Sequence, residues 1–282
     1  MSKRFDYDYV VIGSGAAGSA AALSAAGLGA HTAIIEADKW GGTTLNYRDV
    51  AYGAAMNFAE RYSNAVYGSR FGMSSSTLRY NYPTVLNWQA TAVRRAGGGN
   101  RKTFENAGVD CYNGYATFIS PHEIVVDDAQ ISSDKFLIAT GSNLVPRGIA
   151  GVDTVSCWTP NTVLRIPKLP KTMLVVGGGS TGCEIAEYFG TLGVQVLIAE
   201  ADERLLPRED MEVSVVIEEF LNKRCQVEIL TNSRVVALEE DLNGKQVIFV
   251  RDGQEKYVRV EAIVLAITPE PAVDMGLENA DI

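Results

Sequence analysis

One stretch of this chain occurs twice, at an offset of 164 residues, and a repeat of that kind constrains the fold before any other property is considered. In the first copy the apolar run Tyr9-Val10-Val11-Ile12 leads into Gly13-Ser14-Gly15-Ala16-Ala17-Gly18 and an Ala-rich segment of helical character. A second apolar run, Thr32 to Ile35, then ends in Glu36. In the second copy Met173-Leu174-Val175-Val176 leads into Gly177-Gly178-Gly179-Ser180-Thr181-Gly182. A predicted helix from about Cys183 to Thr191 follows, then a strand from Val194 to Ala199 that ends in Glu200. Even the tripeptides Glu36-Ala37-Asp38 and Glu200-Ala201-Asp202 align. Each copy reads strand, turn, helix, strand, acid.

The spacing has a chemical rationale. The first glycine, Gly13 or Gly177, permits a tight turn from strand to helix. The second, Gly15 or Gly179, lets the backbone approach a pyrophosphate, and the third, Gly18 or Gly182, lets helix and strand pack closely. The pyrophosphate then meets the unpaired N–H groups and the positive dipole end of the helix. The acid, 21 residues after the second glycine in both copies, can accept hydrogen bonds from both ribose hydroxyls of an adenosine. A lone GxGxxG is weak evidence, because Gly-rich turns are common. Two copies in strand-to-helix context, each with its acid in register, point to two dinucleotide-binding Rossmann units. Glu200, Asp202 and Glu203 together make a poor seat for a 2′-phosphate, so the second unit is expected to prefer NAD(H) to NADP(H). Arg204 is the only nearby counter-argument.

At 282 residues two domains are expected. Lys and Arg number 25 against 34 Asp and Glu, a net charge of −9 that repels nucleic acid and anionic lipid surfaces, so neither partner is expected. Cys111, Cys157, Cys183 and Cys225 lie far apart and form no CxxC pair, which suits a reduced, cytoplasmic setting. His31 and His122 are the chain's two imidazoles and nothing in the sequence brings them together, so no metal is expected. Tyr9 to Ala30 carries no charge and follows Lys3 and Arg4, as a signal peptide or membrane helix would. Small residues dominate it, however, and Asp6 and Asp8 stand at its start, so a soluble protein is expected.

Between the copies, Trp40 to Tyr67 reads as a turn followed by a helix and Gly68 to Ser76 as a connector. Pro83 opens a helix from Thr84 to Ala96 that Gly97-Gly98-Gly99 breaks. That glycine run reads as a connector rather than a phosphate loop, because no strand precedes it and only Arg101-Lys102 lie nearby. Val109 to Val126 suggests short strands, and Phe136-Leu137-Ile138 a buried strand ending at Ala139-Thr140-Gly141-Ser142. Pro146 to Pro170, with four prolines, reads as a junction. Beyond Glu200 the pattern gives a helix from about Met211 to Lys223, then strands near Val227–Leu230, Val235–Glu239, Lys245–Val250 and Ile263–Ile267.

With these segments in place the sequence resembles the pyridine nucleotide–disulfide oxidoreductases, the family of dihydrolipoamide dehydrogenase, glutathione reductase and mercuric reductase, from about Phe5 to the last residue. Gly13 to Glu36 is similar to their FAD fingerprint, Gly114-Tyr115-Ala116-Thr117-Phe118 to the segment whose backbone meets the adenine, and Ala139-Thr140-Gly141 to the ATG motif. Gly177 to Glu200 resembles their NAD fingerprint, and Arg204-Leu205-Leu206-Pro207 the stretch after it. The resemblance implies an α/β protein of two Rossmann-like FAD/NAD(P)-binding domains of the three-layer ββα type, C-terminally truncated relative to the family. The expected division is a first FAD-binding segment over 1–150, an NAD(H)-binding domain over 151–270, and the start of a return to the FAD domain over 271–282. Implied cofactor-binding residues are Gly13, Gly15, Ala17, Gly18, Glu36, Ala37, Gly42, Thr43, Ala116, Thr140 and Gly141 for FAD, and Gly177, Gly179, Gly182 and Glu200 for NAD(H).

The departures from the family pattern bear most on function. Where the family reads Gly-Gly-Thr-Cys-x-Asn-x-Gly-Cys-x-Pro-Ser-Lys, this chain runs from Gly41 to Gly53 with Thr44 and Asp49 in place of the cysteines and Gly53 in place of the lysine. Neither hydroxyl nor carboxylate forms a disulfide or a thiolate–flavin pair. The lysine's usual partner survives as Glu184, and Ser180 replaces a tyrosine that often covers the flavin. Catalytic residues are left unassigned, with Glu184 and Asp49 as candidates. Against them stand two plain readings: Glu184 exposed at a helix start, and Tyr47, Arg48 and Asp49 capping the following helix. Ala266-Ile267-Thr268-Pro269-Glu270-Pro271 also departs from the family's crossover. A missing central strand would leave apolar surface exposed, so a homodimer or a covering partner is expected. The expected function is an FAD-dependent, NADH-using oxidoreductase passing hydride to an unidentified small acceptor, and the alternative is a catalytically inactive NAD/FAD-binding module.

Overall fold

The computed structural model describes residues 5–72, 78–96, 101–242 and 244–282, with the backbone alone at 69 and 70. Lys3, Arg4, the connector beyond Gly72 and Gly97-Gly98-Gly99 lie outside the described residues. The chain begins with β1 (Tyr7–Ile12), α1 (Ala16–Gly27), β2 (Thr32–Glu36), α2 (Gly42–Asn46), α3 (Asp49–Tyr67), α4 (Tyr82–Arg95), α5 (Arg101–Asn106) and β3 (Asp110–Asn113). It continues through β4 (Ala116–Ser120), β5 (Glu123–Val126), β6 (Ala129–Ile138) and the short β7 (Ser142–Asn143). Next come β8 (Thr172–Val176), α6 (Ser180–Thr191), β9 (Gln195–Ala199), α7 (Met211–Cys225) and β10 (Glu228–Leu230). They are followed by β11 (Ser233–Asp241), β12 (Gly244–Arg251), β13 (Gln254–Val260), β14 (Ala262–Leu265) and β15 (Glu270–Pro271). The chain forms two compact units, one of Met1–Val50, Thr91–Asn143 and Pro269–Ile282, the other of Ala51–Ala90 and Leu144–Thr268.

Both units follow one plan. The first has strand order β3-β2-β1-β6-β5-β4, parallel through β6 and antiparallel after it. The second has the parallel order β10-β9-β8-β14, with a separate antiparallel meander β11-β12-β13. In each, a three-stranded meander lies between the third parallel strand and the fourth, although in the first unit β6 serves in both. Side-chain alternation along the central strands supplies two buried faces. Val11 and Ile34 pack with Ala22 of α1, whereas Val10, Ile12 and Ile35 pack with Phe118 and Ile124 of the meander. In the second unit Met173 and Val175 meet Ile185 and Phe189 of α6, and Leu174 and Val176 meet Leu238, Val247 and Phe249 of the meander. Sheet, helices on one side and meander on the other make this an α/β fold of three layers.

The helices α3 and α4 are anchored within the second unit by tyrosines. Tyr52 donates to the Pro160 carbonyl, Tyr80 to Leu192, Tyr82 to Ile166, and Gln89 donates to the buried Tyr188 hydroxyl. The return segment belongs to the first unit: β15 pairs with β7, Phe118 donates its amide to the Met275 carbonyl, and Asn279 Nδ2 donates to the Phe118 carbonyl. The helix α5 and the strand β13 stand where sequence patterning gave none, as do the two-residue strands β7 and β15. Gln254 to Lys256 and Tyr257 are exposed, so β13 owes its strand to pairing with β12 rather than to an apolar face. Phe136, Leu137 and Ile138, expected as a buried strand, are only half-buried. Beyond Ser133, β6 pairs with β1 alone, because its pairing with β5 ends at Ser132.

The repeat holds in the backbone of its glycines as well as in their spacing. Gly13 and Gly177 have φ of 104° and 105°, and each donates its amide to the residue before the acid, Ile35 at 2.8 Å and Ala199 at 2.9 Å. A Cβ at Gly18 would lie 1.9 Å from the Gly13 carbonyl oxygen, and one at Gly182 2.0 Å from that of Gly177. Gly182→Ala is therefore expected to destabilise the second unit by about 2–3 kcal/mol or more. Gly27→Ala, in a helix with open space around its would-be methyl, should instead gain roughly 0.5–1 kcal/mol. Urea unfolding midpoints of the two variants check both signs.

Candidate functional site

Each unit gathers its sequence-predicted residues at the carboxyl ends of its parallel strands, where open α/β sheets place ligands. In the first unit Gly15 is the N-cap of α1 and Gly179 is that of α6 in the second; neither helix has a side-chain cap. Neither N-cap glycine carries a side chain that could bond the first-turn N–H groups. A Cβ at Gly15 or Gly179 would find nothing within 4 Å, so space lies open before both helix ends. An uncapped helix terminus with a clear approach suits a pyrophosphate. Ala17 is exposed in the first turn of α1, and Thr181 occupies the matching place in α6.

The acids turn back onto these glycine turns. Glu36 Oε2 accepts the Ser14 amide at 3.0 Å and Glu36 Oε1 accepts the Asp38 amide at 2.9 Å. Glu200 does the same with Gly178 at 2.6 Å and Asp202 at 2.9 Å. In the first unit three further segments converge here. Ala139 donates its amide to Ile12, and its carbonyl lies 2.3 Å from where a Gly13 Cβ would be. Gly42 lies against Gly15, its would-be Cβ 2.7 Å from the Gly15 Cα. Gly114 donates its amide to the Glu36 carbonyl at 3.0 Å, which brings Ala116, buried at the start of β4, beside the acid's strand. Thr140 Oγ1 donates to the Ala272 carbonyl at 2.6 Å, and Gly141 accepts the Ala272 amide. Ala37 and Thr43 are exposed at the same end.

The candidate catalytic residues are less concentrated. Asp49 is exposed at the first residue of α3, where a carboxylate complements the positive helix end. Tyr47 donates to Asp38 Oδ2 at 2.6 Å, with Lys39 Nζ 4.9 Å from its ring centroid. Thr44 is half-buried within α2. Glu184 is exposed on α6 and belongs to the second unit, as does Gly53, whereas Asp49 belongs to the first.

Arg204, the counter-argument to NAD(H), is occupied. Its guanidinium donates to the carbonyls of Pro207 at 2.9 Å, Glu209 at 2.8 Å and Leu206 at 3.3 Å, and to Ser214 Oγ. It therefore ties the loop from 205 to 210 to α7 rather than facing a ribose. Leu205, fully buried, lies over Gly178, whose would-be Cβ comes 2.4 Å from the leucine Cδ2. Sequence reasoning quoted Leu205 without a role and passed over Ser14. The available signal was that Ser14 and Gly178 are among the fingerprint positions, with Ala16/Ser180 and Ala17/Thr181, at which the two copies differ.

Cys183 lies beside the second turn, its thiol directed at the Gly178 carbonyl. Burial, reinforced by the charges of Glu200, Glu184, Glu218 and Glu187, pushes its pKa up to about 12. Burial likewise raises the Cys225 thiol. His31 Nδ1 faces the Asp6 carbonyl and His122 Nδ1 that of Ser133. Among the described residues no group of three or more His, Cys, Asp and Glu could hold a metal ion, and no helix is long and apolar enough to cross a membrane.

A family model described as pyridine nucleotide-disulphide oxidoreductase matches residues 7–281. The chain is 29% identical to a dihydrolipoyl dehydrogenase of Bacillus subtilis, over 98% of this chain and 62% of that protein. It is 31% identical to the dihydrolipoyl dehydrogenase of Chlamydia pneumoniae, over 98% and 60%, and 28% identical to a mercuric reductase of Bacillus cereus, over 95% and 42%. The HOCl-induced flavoprotein disulfide reductase RclA from Escherichia coli superposes with a TM-score of 0.82 at 26% identity, covering 98% of this chain and 60% of that one. The chain spans about 60% of the length of the first curated relatives it matches.

With its thiol raised to about 12, Cys183 carries a thiolate fraction of about one in ten thousand at pH 8. A disulfide-exchange thiol reagent is expected to leave Cys183 and Cys225 unmodified in the native protein and to label both in urea. Rapid native labelling of Cys183 would show that the α6 turn opens.

Proposed function

Because the chain belongs to the pyridine nucleotide-disulphide oxidoreductase family, we propose that it is an FAD-dependent, NADH-using oxidoreductase that passes hydride from nicotinamide to flavin and on to a small acceptor. The observation that carries this reading is the duplicated cradle: two uncapped helix starts, each with open space before its second glycine and an acid folded back on the turn. When bound, the flavin supplies the hydride and electron transfer, and the protein supplies binding and orientation. Gly13, Gly15, Ala17, Gly18, Glu36, Ala37, Gly42, Thr43, Ala116, Thr140 and Gly141 hold FAD. Gly177, Gly179, Gly182 and Glu200 hold NAD(H). The division into an FAD-binding part over 1–150 and 271–282 and an NAD(H)-binding part over 151–270 belongs to the same proposal.

The acceptor step runs without disulfide exchange. Thr44 and Asp49 stand where the family pattern has its cysteines, and neither side chain can cycle between dithiol and disulfide. NAD(H) is favoured over NADP(H): Glu200, Asp202 and Glu203 place negative charge where a 2′-phosphate would sit, and the Arg204 guanidinium is committed to its own loop. The second reading, a binding module without turnover, is favoured by Gly53 in place of the flavin-associated lysine.

The purified protein is expected to carry a flavin absorption band that NADH bleaches, with sustained NADH oxidation once an artificial acceptor is added. A protein that releases no flavin on denaturation would sink the proposal, and bleaching without turnover would select the module. Glu200→Ser is expected to weaken NADH binding about tenfold or more and to narrow the preference over NADPH, read from Kd values for the two nucleotides.

A further inference from the structure

The two acids share backbone partners but not the hydroxyl at the second fingerprint position. Ser14 is fully buried, and its Oγ both accepts the Gly41 amide at 2.9 Å and donates to Glu36 Oε2 at 2.5 Å. The direction is forced: an amide can only donate, so the single hydroxyl proton goes to the carboxylate. Glu36 Oε2 thus receives two donors, the Ser14 hydroxyl and the Ser14 amide, while Oε1 receives one, the Asp38 amide. A carboxylate offers about four acceptor sites. One is left, on Oε1. At Glu200 the count differs, since Gly178 brings an amide and no hydroxyl: Oε2 receives the Gly178 amide and Oε1 the Asp202 amide. One acceptor site stays open on each oxygen. Position 178 cannot take a serine unaided, because its Cβ would meet Leu205 Cδ2 at 2.4 Å.

We propose that Ser14 is a positioning residue that makes the two dinucleotide sites unequal: Glu36 accepts one hydroxyl of an adenosine ribose, whereas Glu200 accepts both. This rests on the reading of the first unit as the FAD site and the second as the NAD(H) site. It also revises the expectation, drawn from spacing, that both acids take both hydroxyls. In the first unit the serine uses the second site on Oε2, and in exchange it fixes Gly41 and Gly42 over the turn, where Gly42 nearly touches Gly15.

The test is titration of the flavin-stripped protein with FAD and with FAD analogues whose adenosine lacks the 2′- or the 3′-hydroxyl, followed by flavin fluorescence. The holoprotein is titrated with the corresponding NADH analogues. One FAD deletion is expected to weaken binding about tenfold or more and the other to leave it unchanged, whereas both NADH deletions should weaken binding. In Ser14→Ala, or in Ser14→Gly with the residue of the second copy, the formerly silent FAD deletion should acquire a cost. A structural role alone would lower the affinity for all three flavins by the same factor. Equal losses for both FAD deletions in the unaltered protein, or an unchanged pattern in folded Ser14 variants, overturn the inference while leaving the FAD site standing. If FAD itself does not bind, the reading of the first unit and this inference fall together.

Discussion

The contact on which both units depend is one of backbone against backbone. Where the third fingerprint glycine passes the carbonyl of the first, a side chain of even one carbon would sit within about 2 Å of oxygen. That closeness seats α1 on β1 and α6 on β8, and it directs each uncapped helix start at the space beyond the strand ends. The acid at the end of the next strand then folds back to bond the amide of the second fingerprint residue, which holds the turn in one shape without filling it. A helix start directed at the strand ends, with its turn held by one carboxylate, follows from glycine sterics and two backbone amides.

On this common frame the units close their turns by different means. In the first, a buried serine hydroxyl links the acid to the Gly41 amide and brings a double-glycine segment down onto Gly15. In the second, Leu205 lies over Gly178, and the loop carrying it is tied to α7 by Arg204 and by Ser214, which donates to the Leu205 carbonyl. The hydroxyl adds a hydrogen-bond donor to the acid, and the leucine adds none. The same difference decides how much of each carboxylate remains open to a ligand.

The chemistry that the family pattern places after the first acid is altered in kind. Thr44 and Asp49 leave the segment able to form helix starts and hydrogen bonds but unable to exchange thiols. The remaining cysteines near the turns do not substitute for them, since Cys183 is buried among carboxylates and held as a thiol.

Residue order alone determined the two turns, the positions of their acids and the central strands β1 and β8, because each is a matter of local spacing, and the resemblance to the family added the loss of the dithiol. The apolar runs of the two first strands could be read from Val10, Val11, Leu174 and Val175 without knowing their neighbours. Tertiary structure decided what depends on partners distant in the chain. Strand β13 exists because β12 pairs with it, and Phe136 to Ile138 are half-buried because β6 pairs on one side there. Arg204 is turned onto its own loop, whose carbonyls accept its guanidinium hydrogen bonds. Above all, Ser14 and Gly178 look interchangeable in a fingerprint, and only the fold shows the serine hydroxyl bridging Gly41 and Glu36, a geometry no local spacing encodes.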